Sequence, residues 1–81
     1  MNMFTIFVKR GCCYCKRSLA SLRKHKLKFT KVVCKTQEDL KAALKKHALA
    51  VPRTLTFPRI FKYSKLVGGS DDLEAVLRQT A

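Results

Sequence analysis

The order of hydrophobic and polar positions along the chain predicts alternating strands and helices. Met3–Val8 is an apolar run of aromatic and branched residues, with the length of a short buried strand. From Cys12 the period changes, because Cys15, Leu19 and Leu22 recur at helical spacing while basic residues occupy the other sides. A first strand is therefore followed, after a short loop, by a helix that begins at the cysteines.

The middle of the chain repeats this alternation. Lys28–Cys34 has the branched and aromatic composition of a second strand, although its register is ambiguous. Thr36 is a typical N-cap residue with acids just after it, and an apolar stripe then extends to His47, which predicts a second helix ending near Ala50.

The last third of the chain predicts a strand, a hairpin and a helix. Leu55–Phe61 has the composition of a third strand, but Pro58 in its middle has no N–H group and requires an edge, a bulge or a special turn. A reversal at residues 62–65 precedes a short strand at Leu66–Val67, and a third helix is expected from Ser70.

The element order β-α-β-α-β-β-α indicates an α/β protein with a four-stranded mixed sheet flanked by three helices. Because a helix connects the first two strands, we expect them to be parallel, and we expect the last two to form a hairpin. The 81 residues suffice for one small domain, so residues 1–81 are treated as a single domain. A hydrophobic fraction of 47% favours a packed core over disorder.

The charge balance is strongly basic, with 18 Lys plus Arg against five Asp plus Glu and a formal net charge of +13. Such a field attracts anions, so a basic nucleic-acid-binding module is a distant alternative. No recognised DNA- or RNA-binding motif accompanies the charge, and no specific nucleic acid is expected. The N-terminus shows no secretory signal and no long apolar segment follows, which predicts a cytoplasmic protein without membrane association and with reduced cysteines.

A C-x-x-C motif lies at the predicted start of the first helix, where this spacing indicates redox chemistry. Backbone N–H groups at a helix N-terminus, together with nearby Lys and Arg residues, favour the thiolate form of Cys12. Cys15 continues onto the apolar stripe and should lie under the helix. We therefore expect Cys12 to be the nucleophile and Cys15 the resolving thiol in thiol–disulfide exchange, with Cys13 exposed and optional.

The acidic residues follow the helix starts, with one exception. Acids usually favour helix N-termini, yet the first helix has none. Chance in a basic chain would also produce this pattern, but the absence keeps the cysteine site free for a thiolate. The five acids, all near the starts of the second and third helices, are Glu38, Asp39, Asp71, Asp72 and Glu74.

Three segments, Lys9–Cys15, Thr56–Phe61 and Gly68–Leu73, resemble the three signatures of dithiol glutaredoxins in order and spacing, over nearly the whole chain. The resemblance implies a thioredoxin-like fold with a cis peptide bond before Pro58. It also implies a monomeric enzyme that uses glutathione as reductant, without a metal, to reduce protein disulfides and glutathione mixed disulfides. Ribonucleotide reductase is a family-level expectation for a protein partner.

The resemblance further implies a glutathione site. The backbone of Phe57 would pair with the cysteinyl unit, and the start of the third helix would hold the γ-glutamyl group, with Asp71 facing its ammonium group. The glycine carboxylate would meet Lys9, with Arg53 or Gln37 as weaker candidates. The expected glutathione-binding residues are Lys9, Tyr14, Phe57, Pro58, Gly69, Ser70 and Asp71.

The sequence departs from the family pattern at three places. Cys13 replaces the usual Pro between the cysteines, Phe57 stands where Val is common, and one residue is inserted between Arg53 and the Thr-Phe-Pro signature. The missing Pro loosens the loop. Some family members without it assemble a glutathione-ligated iron–sulfur cluster between two chains, but nothing else in this sequence requires one.

Two alternatives concern the cysteines. A small redoxin reduced by thioredoxin reductase would share the C-x-x-C segment, but the Ser70-Asp71-Asp72 segment argues against it. Structural zinc usually needs two closely spaced ligand pairs, and only one pair is present. Cys34 is therefore expected to be a small buried hydrophobe. The zinc alternative would use Cys12, Cys15 and Cys34 with His25 or His47.

Overall fold

The computed structural model describes residues 3–53 and 55–80, in which strands and helices follow the predicted order. The elements are β1 (Phe4–Lys9), α1 (Cys13–Lys24), β2 (Phe29–Cys34), α2 (Gln37–Lys46), β3 (Arg59–Lys62), β4 (Lys65–Gly68) and α3 (Ser70–Thr80). The strands form one sheet in the order β2-β1-β3-β4. β1 is parallel to β2 and antiparallel to β3, and β3 is antiparallel to β4, so the predicted mixed sheet and terminal hairpin are confirmed.

The alternation of side chains along β1 divides the core between the two faces of the sheet. Phe4, Ile6 and Val8 pack in one cluster with buried residues of α1 and α3. Phe7 faces the other way and packs with Leu40 and Leu44 of α2 and with Phe61. Two helices therefore cover one face and α2 covers the other, which leaves the N-terminus of α1 at the carboxyl end of the central strand β1.

The register of β2, ambiguous in the sequence, is set by its pairing with β1. Val33 is the partner of Val8, which belongs to the core on the α1 side of the sheet. Lys31 and Val33 consequently share the face that α1 covers, and Cys34 points to the α2 side. β2 is an edge strand, and Val33 remains 55% exposed beside the helix.

The third strand is shorter than predicted. Leu55–Phe61 was expected, but the strand begins only at Arg59, because Pro58 has no N–H group to donate to the sheet. The peptide bond between Phe57 and Pro58 is cis, as the family resemblance implied. Residues 55–58 instead form a loop that crosses the end of the sheet near α1; Thr54, next to the expected insertion, lies outside the described residues.

The second helix also ends earlier than predicted, at Lys46 instead of near Ala50. The reason is a chain reversal at Ala48, whose φ is 57°. The Ala48 N–H donates to the Lys45 carbonyl and the Leu49 N–H to that of Leu44, which satisfies the last carbonyls of the helix. No glycine marks this position, so the end of the helix could not be predicted from local residue types.

Replacing Ala48 by Gly should raise the free energy of unfolding by about 0.5–1 kcal/mol. At positive φ a Cβ atom has a steric cost of roughly 1–2 kcal/mol, which Gly avoids. This gain exceeds the cost of the additional conformational entropy that Gly loses on folding. Ala42→Gly, at an exposed position within α2, is the matched control and should lower stability by about 1 kcal/mol. Denaturant unfolding followed by circular dichroism measures both changes. Equal destabilisation by the two variants would contradict the assigned helix end.

Candidate active site

Helix α1 begins beside the sulfur of Cys12. Cys12 is the N-cap residue, with φ −84° and ψ 116°, and its Sγ accepts a hydrogen bond from the Cys15 N–H at 3.4 Å. The first turn contains no acidic residue, whereas the first turns of α2 and α3 each contain two. Helix N-termini interact favourably with negative charge, and at this one the sulfur of Cys12 takes the place that acidic side chains take in α2 and α3.

The two cysteines of the motif occupy opposite environments, as predicted. Cys12 is partly exposed, while Cys15 is 2% exposed and packs in the core between β1 and α1. Burial in this apolar cluster, with a smaller contribution from the hydrogen bond to Cys12, raises the pKa of the Cys15 thiol to about 12. Cys15 is therefore a neutral thiol at physiological pH. Cys13 is exposed, also as predicted.

The loop before β3 lies against Cys12. The Cys12 Sγ and the Phe57 carbonyl oxygen are 3.9 Å apart, within reach of an S–H donor. Pro58 is buried next to this carbonyl, and a groove of about 210 Å³ extends from the loop to the start of α3. Six of the predicted glutathione-binding residues line this groove, namely Tyr14, Phe57, Pro58, Gly69, Ser70 and Asp71.

The N-terminus of α3 supplies polar groups to this groove. The Asp72 carboxylate accepts a hydrogen bond from the Gly69 N–H at 3.1 Å and caps the helix, so it is committed to the fold. The Ser70 hydroxyl is buried and has no hydrogen-bond partner among the described residues. Asp71 is exposed. The exposed Asp71 carboxylate is therefore accessible to a ligand, whereas the unpartnered Ser70 oxygen is itself buried. The capping role of Asp72 was missed in the sequence, although an Asp three residues after Gly69 is a recognisable cap signal.

Lys9 is separated from the other predicted residues. Its carbonyl accepts a hydrogen bond from the Cys12 N–H at 3.3 Å, which fixes the loop between β1 and α1. The residue lines a second groove, of about 570 Å³, which also reaches Cys12 but lies between α1 and β2. Of the weaker candidates, Arg53 is exposed and the Gln37 amide donates to the Leu55 carbonyl at 2.8 Å.

The second groove was not predicted from the sequence. Its cations come from the loop after β1, from α1 and from β2, and they are Lys9, Arg10, Lys16, Lys31 and Lys35. The only signal in the sequence was the alternation of Lys31, Val33 and Lys35, which becomes informative once the register of β2 is known.

The residues of the zinc alternative do not come together. In residues 3–53 and 55–80 no group of three or more His, Cys, Asp or Glu side chains is arranged to hold a metal ion. Cys34 is buried on the α2 side of the sheet, where burial, reinforced by the charge of Asp39, raises the pKa of its thiol. His47 packs edge-on against Phe7 at 5.7 Å. Across the same part of the chain, no helix has the length and hydropathy needed to span a bilayer.

A mixed sheet with three helices, and a partly exposed cysteine at a helix N-terminus next to a buried one, define the thioredoxin-like class of proteins. The glutaredoxin family model matches residues 4–67. Glutaredoxin 1 of Rickettsia bellii (strain RML369-C) is 32% identical over 73 residues, which cover 90% of this chain and 74% of that protein. The chain therefore belongs to the glutaredoxin family, whose activity is thiol–disulfide exchange.

Solved structures agree with this assignment. The solution structure of the Brucella melitensis glutaredoxin has a TM-score of 0.70 and 32% identity, covering 98% of this chain and 82% of that one. A buckwheat glutaredoxin in complex with glutathione has a TM-score of 0.71 at 20% identity, covering 98% and 71%. At 20% identity, the similarity to the buckwheat protein shows a shared fold and nothing further.

The contrast between the cysteines predicts selective alkylation near neutral pH. Iodoacetamide should label Cys12 and Cys13, whereas Cys15, with a pKa of about 12, should react at least about a hundredfold more slowly than Cys13 because thiols are poor nucleophiles. Labelling of Cys15 should increase as the pH approaches its pKa. Peptide mass spectrometry over time measures each site, and denatured protein is the control. Equal rates at Cys13 and Cys15 in the folded protein would contradict the assignment.

Proposed function

We propose that this protein is a glutathione-dependent disulfide oxidoreductase that reduces protein disulfides and glutathione mixed disulfides in the cytoplasm. The observation that carries the proposal is the pairing of a sulfur at the N-terminus of α1, Cys12, with the buried neutral thiol of Cys15. The groove between the Phe57 loop and α3 supports the choice of glutathione as reductant, because it offers the Phe57 backbone carbonyl, a buried hydroxyl and a carboxylate.

The first half of the proposed cycle oxidises the protein. The Cys12 thiolate attacks one sulfur of a substrate disulfide, forming a mixed disulfide and releasing the other sulfur as a thiolate. The Cys15 thiol then gives up its proton to the departing thiolate or to water. The new Cys15 thiolate attacks Cys12 and releases the second substrate thiol. Two electrons have passed to the substrate, and the protein holds a Cys12–Cys15 disulfide.

The second half consumes two glutathione molecules. The first glutathione thiolate attacks Cys12, forms a mixed disulfide and returns Cys15 to a thiol after protonation. The second attacks the glutathione sulfur of that mixed disulfide, which releases oxidised glutathione and the Cys12 thiolate. For the bound tripeptide we propose that Phe57 pairs with the cysteinyl backbone, that Ser70 and Asp71 hold the γ-glutamyl group, and that Lys9 attracts the glycine carboxylate.

The buried hydroxyl of Ser70 supports this orientation. A buried polar group without a partner is costly, and a γ-glutamyl carboxylate would provide an acceptor for it. Asp71 is exposed beside it and carries the charge opposite to an α-ammonium group. A buckwheat glutaredoxin with the same fold was solved in complex with glutathione, which agrees with a tripeptide thiol as ligand.

Substitution of the two cysteines should separate the two reactions. Cys12→Ser should reduce all exchange to the background rate, because the nucleophile is lost. Cys15→Ser should keep at least about a third of the turnover of a small glutathione mixed disulfide, which needs only the nucleophile, and should lose reduction of protein disulfides. Consumption of NADPH by glutathione reductase, coupled through glutathione, measures both activities.

Cys13→Ser is the matched control, since it changes the neighbouring exposed thiol. It should retain both activities. Equal losses in the Cys12 and Cys15 variants would reject the assignment of roles. Faster reduction by thioredoxin reductase than by glutathione would favour the small-redoxin alternative.

Asp71→Asn tests the γ-glutamyl site. Removing the carboxylate should raise the KM for glutathione about threefold to tenfold, the range of an exposed charge-assisted contact, with kcat within about twofold. Glu38→Gln is a matched control, because it also removes an exposed acid from the first turn of a helix, α2. Its KM should not change. A KM effect of the same size in both variants would indicate a general charge effect and not a binding site.

A further inference from the structure

Cys12 lies between two grooves of different chemistry. On the side of β1 that pairs with β3, the proposed glutathione groove lies between the Phe57 loop and the start of α3. On the other side of β1 lies the groove over β2, which we name the basic groove. Cys12 itself lines the basic groove, and it lies 3.9 Å from the carbonyl oxygen of Phe57, which lines the other groove. Two ligands can therefore approach Cys12 from different directions. The proposed reaction requires two different ligands, glutathione and a protein disulfide.

The basic groove combines an apolar floor with cationic walls. Val8, Leu19 and Val33 line its floor, and Val33 is 55% exposed at the edge of the sheet. Among the described residues that line it there is no Asp or Glu, while its five cations are those given above. With about 570 Å³, it is the larger of the two grooves that reach the active site.

Among the described residues, no acidic side chain lines the groove to offset this concentration of positive charge. Asp39 is the acid that approaches the groove along the chain, and its carboxylate accepts the N–H groups of Lys35 and Thr36 at 3.1 and 3.3 Å. It is thus committed to the cap of α2. Five cations around one concave surface produce a positive potential that an anionic ligand would relieve.

We propose that the basic groove docks an acidic segment that flanks the disulfide of a protein substrate and so brings that disulfide to Cys12. The inference rests on the proposed function and adds to it a preference among protein substrates. The apolar floor fits the side chains of a peptide, and the cations complement Asp and Glu residues on either side of the cystine. The cysteinyl and γ-glutamyl units of glutathione remain in the other groove during the cycle, and Lys9 is the cation that both ligands would approach.

Other occupants fit less well. A second copy of this chain carries the same net charge of +13 and would be repelled. A nucleic acid would satisfy the cations, but its phosphodiester backbone has no use for an apolar floor and no disulfide to present to Cys12. The position of the groove at a reactive sulfur therefore favours a peptide.

The test compares two cyclic disulfide peptides, one with Asp and Glu flanking the cystine and one with Asn and Gln at the same positions. Wild type should reduce the acidic peptide with a kcat/KM at least about tenfold higher at about 0.05 M salt, and the preference should approach unity at about 0.5 M salt, where charges are screened. In the Lys31→Glu/Lys35→Glu variant the preference should disappear or reverse.

Lys41→Glu/Lys45→Glu is the matched control. Both pairs replace exposed lysines and lower the net charge by the same amount, but Lys41 and Lys45 belong to α2 on the other face of the sheet. This control should keep at least about half of the wild-type preference. An equal loss in both double variants would overturn the docking groove and leave only long-range attraction by net charge.

Two further measurements separate this inference from the proposed function. If wild type turns over a small glutathione mixed disulfide but shows no preference for the acidic peptide, the groove assignment is wrong and the function stands. If it turns over no disulfide, the function fails and the inference fails with it.

Binding is measured independently by fluorescence anisotropy with the acidic peptide carrying Ser in place of Cys. The binding should weaken at least about tenfold in Lys31→Glu/Lys35→Glu but not in the control. A single-stranded oligonucleotide that binds more tightly than this peptide, with the same dependence on Lys31 and Lys35, would assign the groove to nucleic acid and overturn the proposal.

Discussion

The hydrogen bond from the Cys15 N–H to the Cys12 sulfur is the interaction on which the active site depends. Cys15 contributes to the environments of both cysteines. Its backbone N–H donates to the partly exposed sulfur of Cys12, while its own thiol is buried in the core. Packing of Cys15 beneath α1, next to Val8 and Leu22, therefore also positions Cys12. The reactive sulfur is held by the hydrophobic core through a single turn of backbone.

The distribution of acidic residues also distinguishes the N-terminus of α1 from those of the other two helices. Acids occupy the first turns of α2 and α3, where they cap or stabilise helices, and α1 is left without one. No acidic side chain in the first turn of α1 therefore competes with the sulfur for this helix end. Around it, the groove toward α3 offers a carboxylate and a hydroxyl, whereas the groove toward β2 offers cations. Under the proposed function, a sulfur with such different neighbours would distinguish a reductant from a substrate by the direction of approach.

The features predicted correctly from the sequence are those that local spacing determines. The helical stripe of Cys15, Leu19 and Leu22 was enough to assign a buried and an exposed cysteine, and a helix between two strands was enough to expect β1 and β2 to be parallel. The end of α2 could not be predicted, because Ala48 adopts positive φ without being Gly. Pro58 signalled an irregularity, but the sequence did not show where the strand would resume.

The basic groove depended on information that the sequence does not contain locally. Whether Lys31 faces α1 or α2 follows from the register between β1 and β2, which long-range packing decides. If the register between β1 and β2 were shifted by one residue, the same lysines would lie on the α2 side of the sheet. Motif comparison finds the three signature segments, and it overlooks a surface that β2, which carries no signature, brings next to the C-x-x-C segment.

The exposed border of the sheet at β2 has a consequence for aggregation. A strand at the edge of a sheet, with an exposed apolar residue such as Val33, is a template on which further strands can add. Lys31 and Lys35 flank that residue, and lysines on an edge strand oppose pairing with the same strand of another copy because like charges repel. The same two side chains would then discourage fibril growth from identical molecules while leaving the border open to chains of opposite charge.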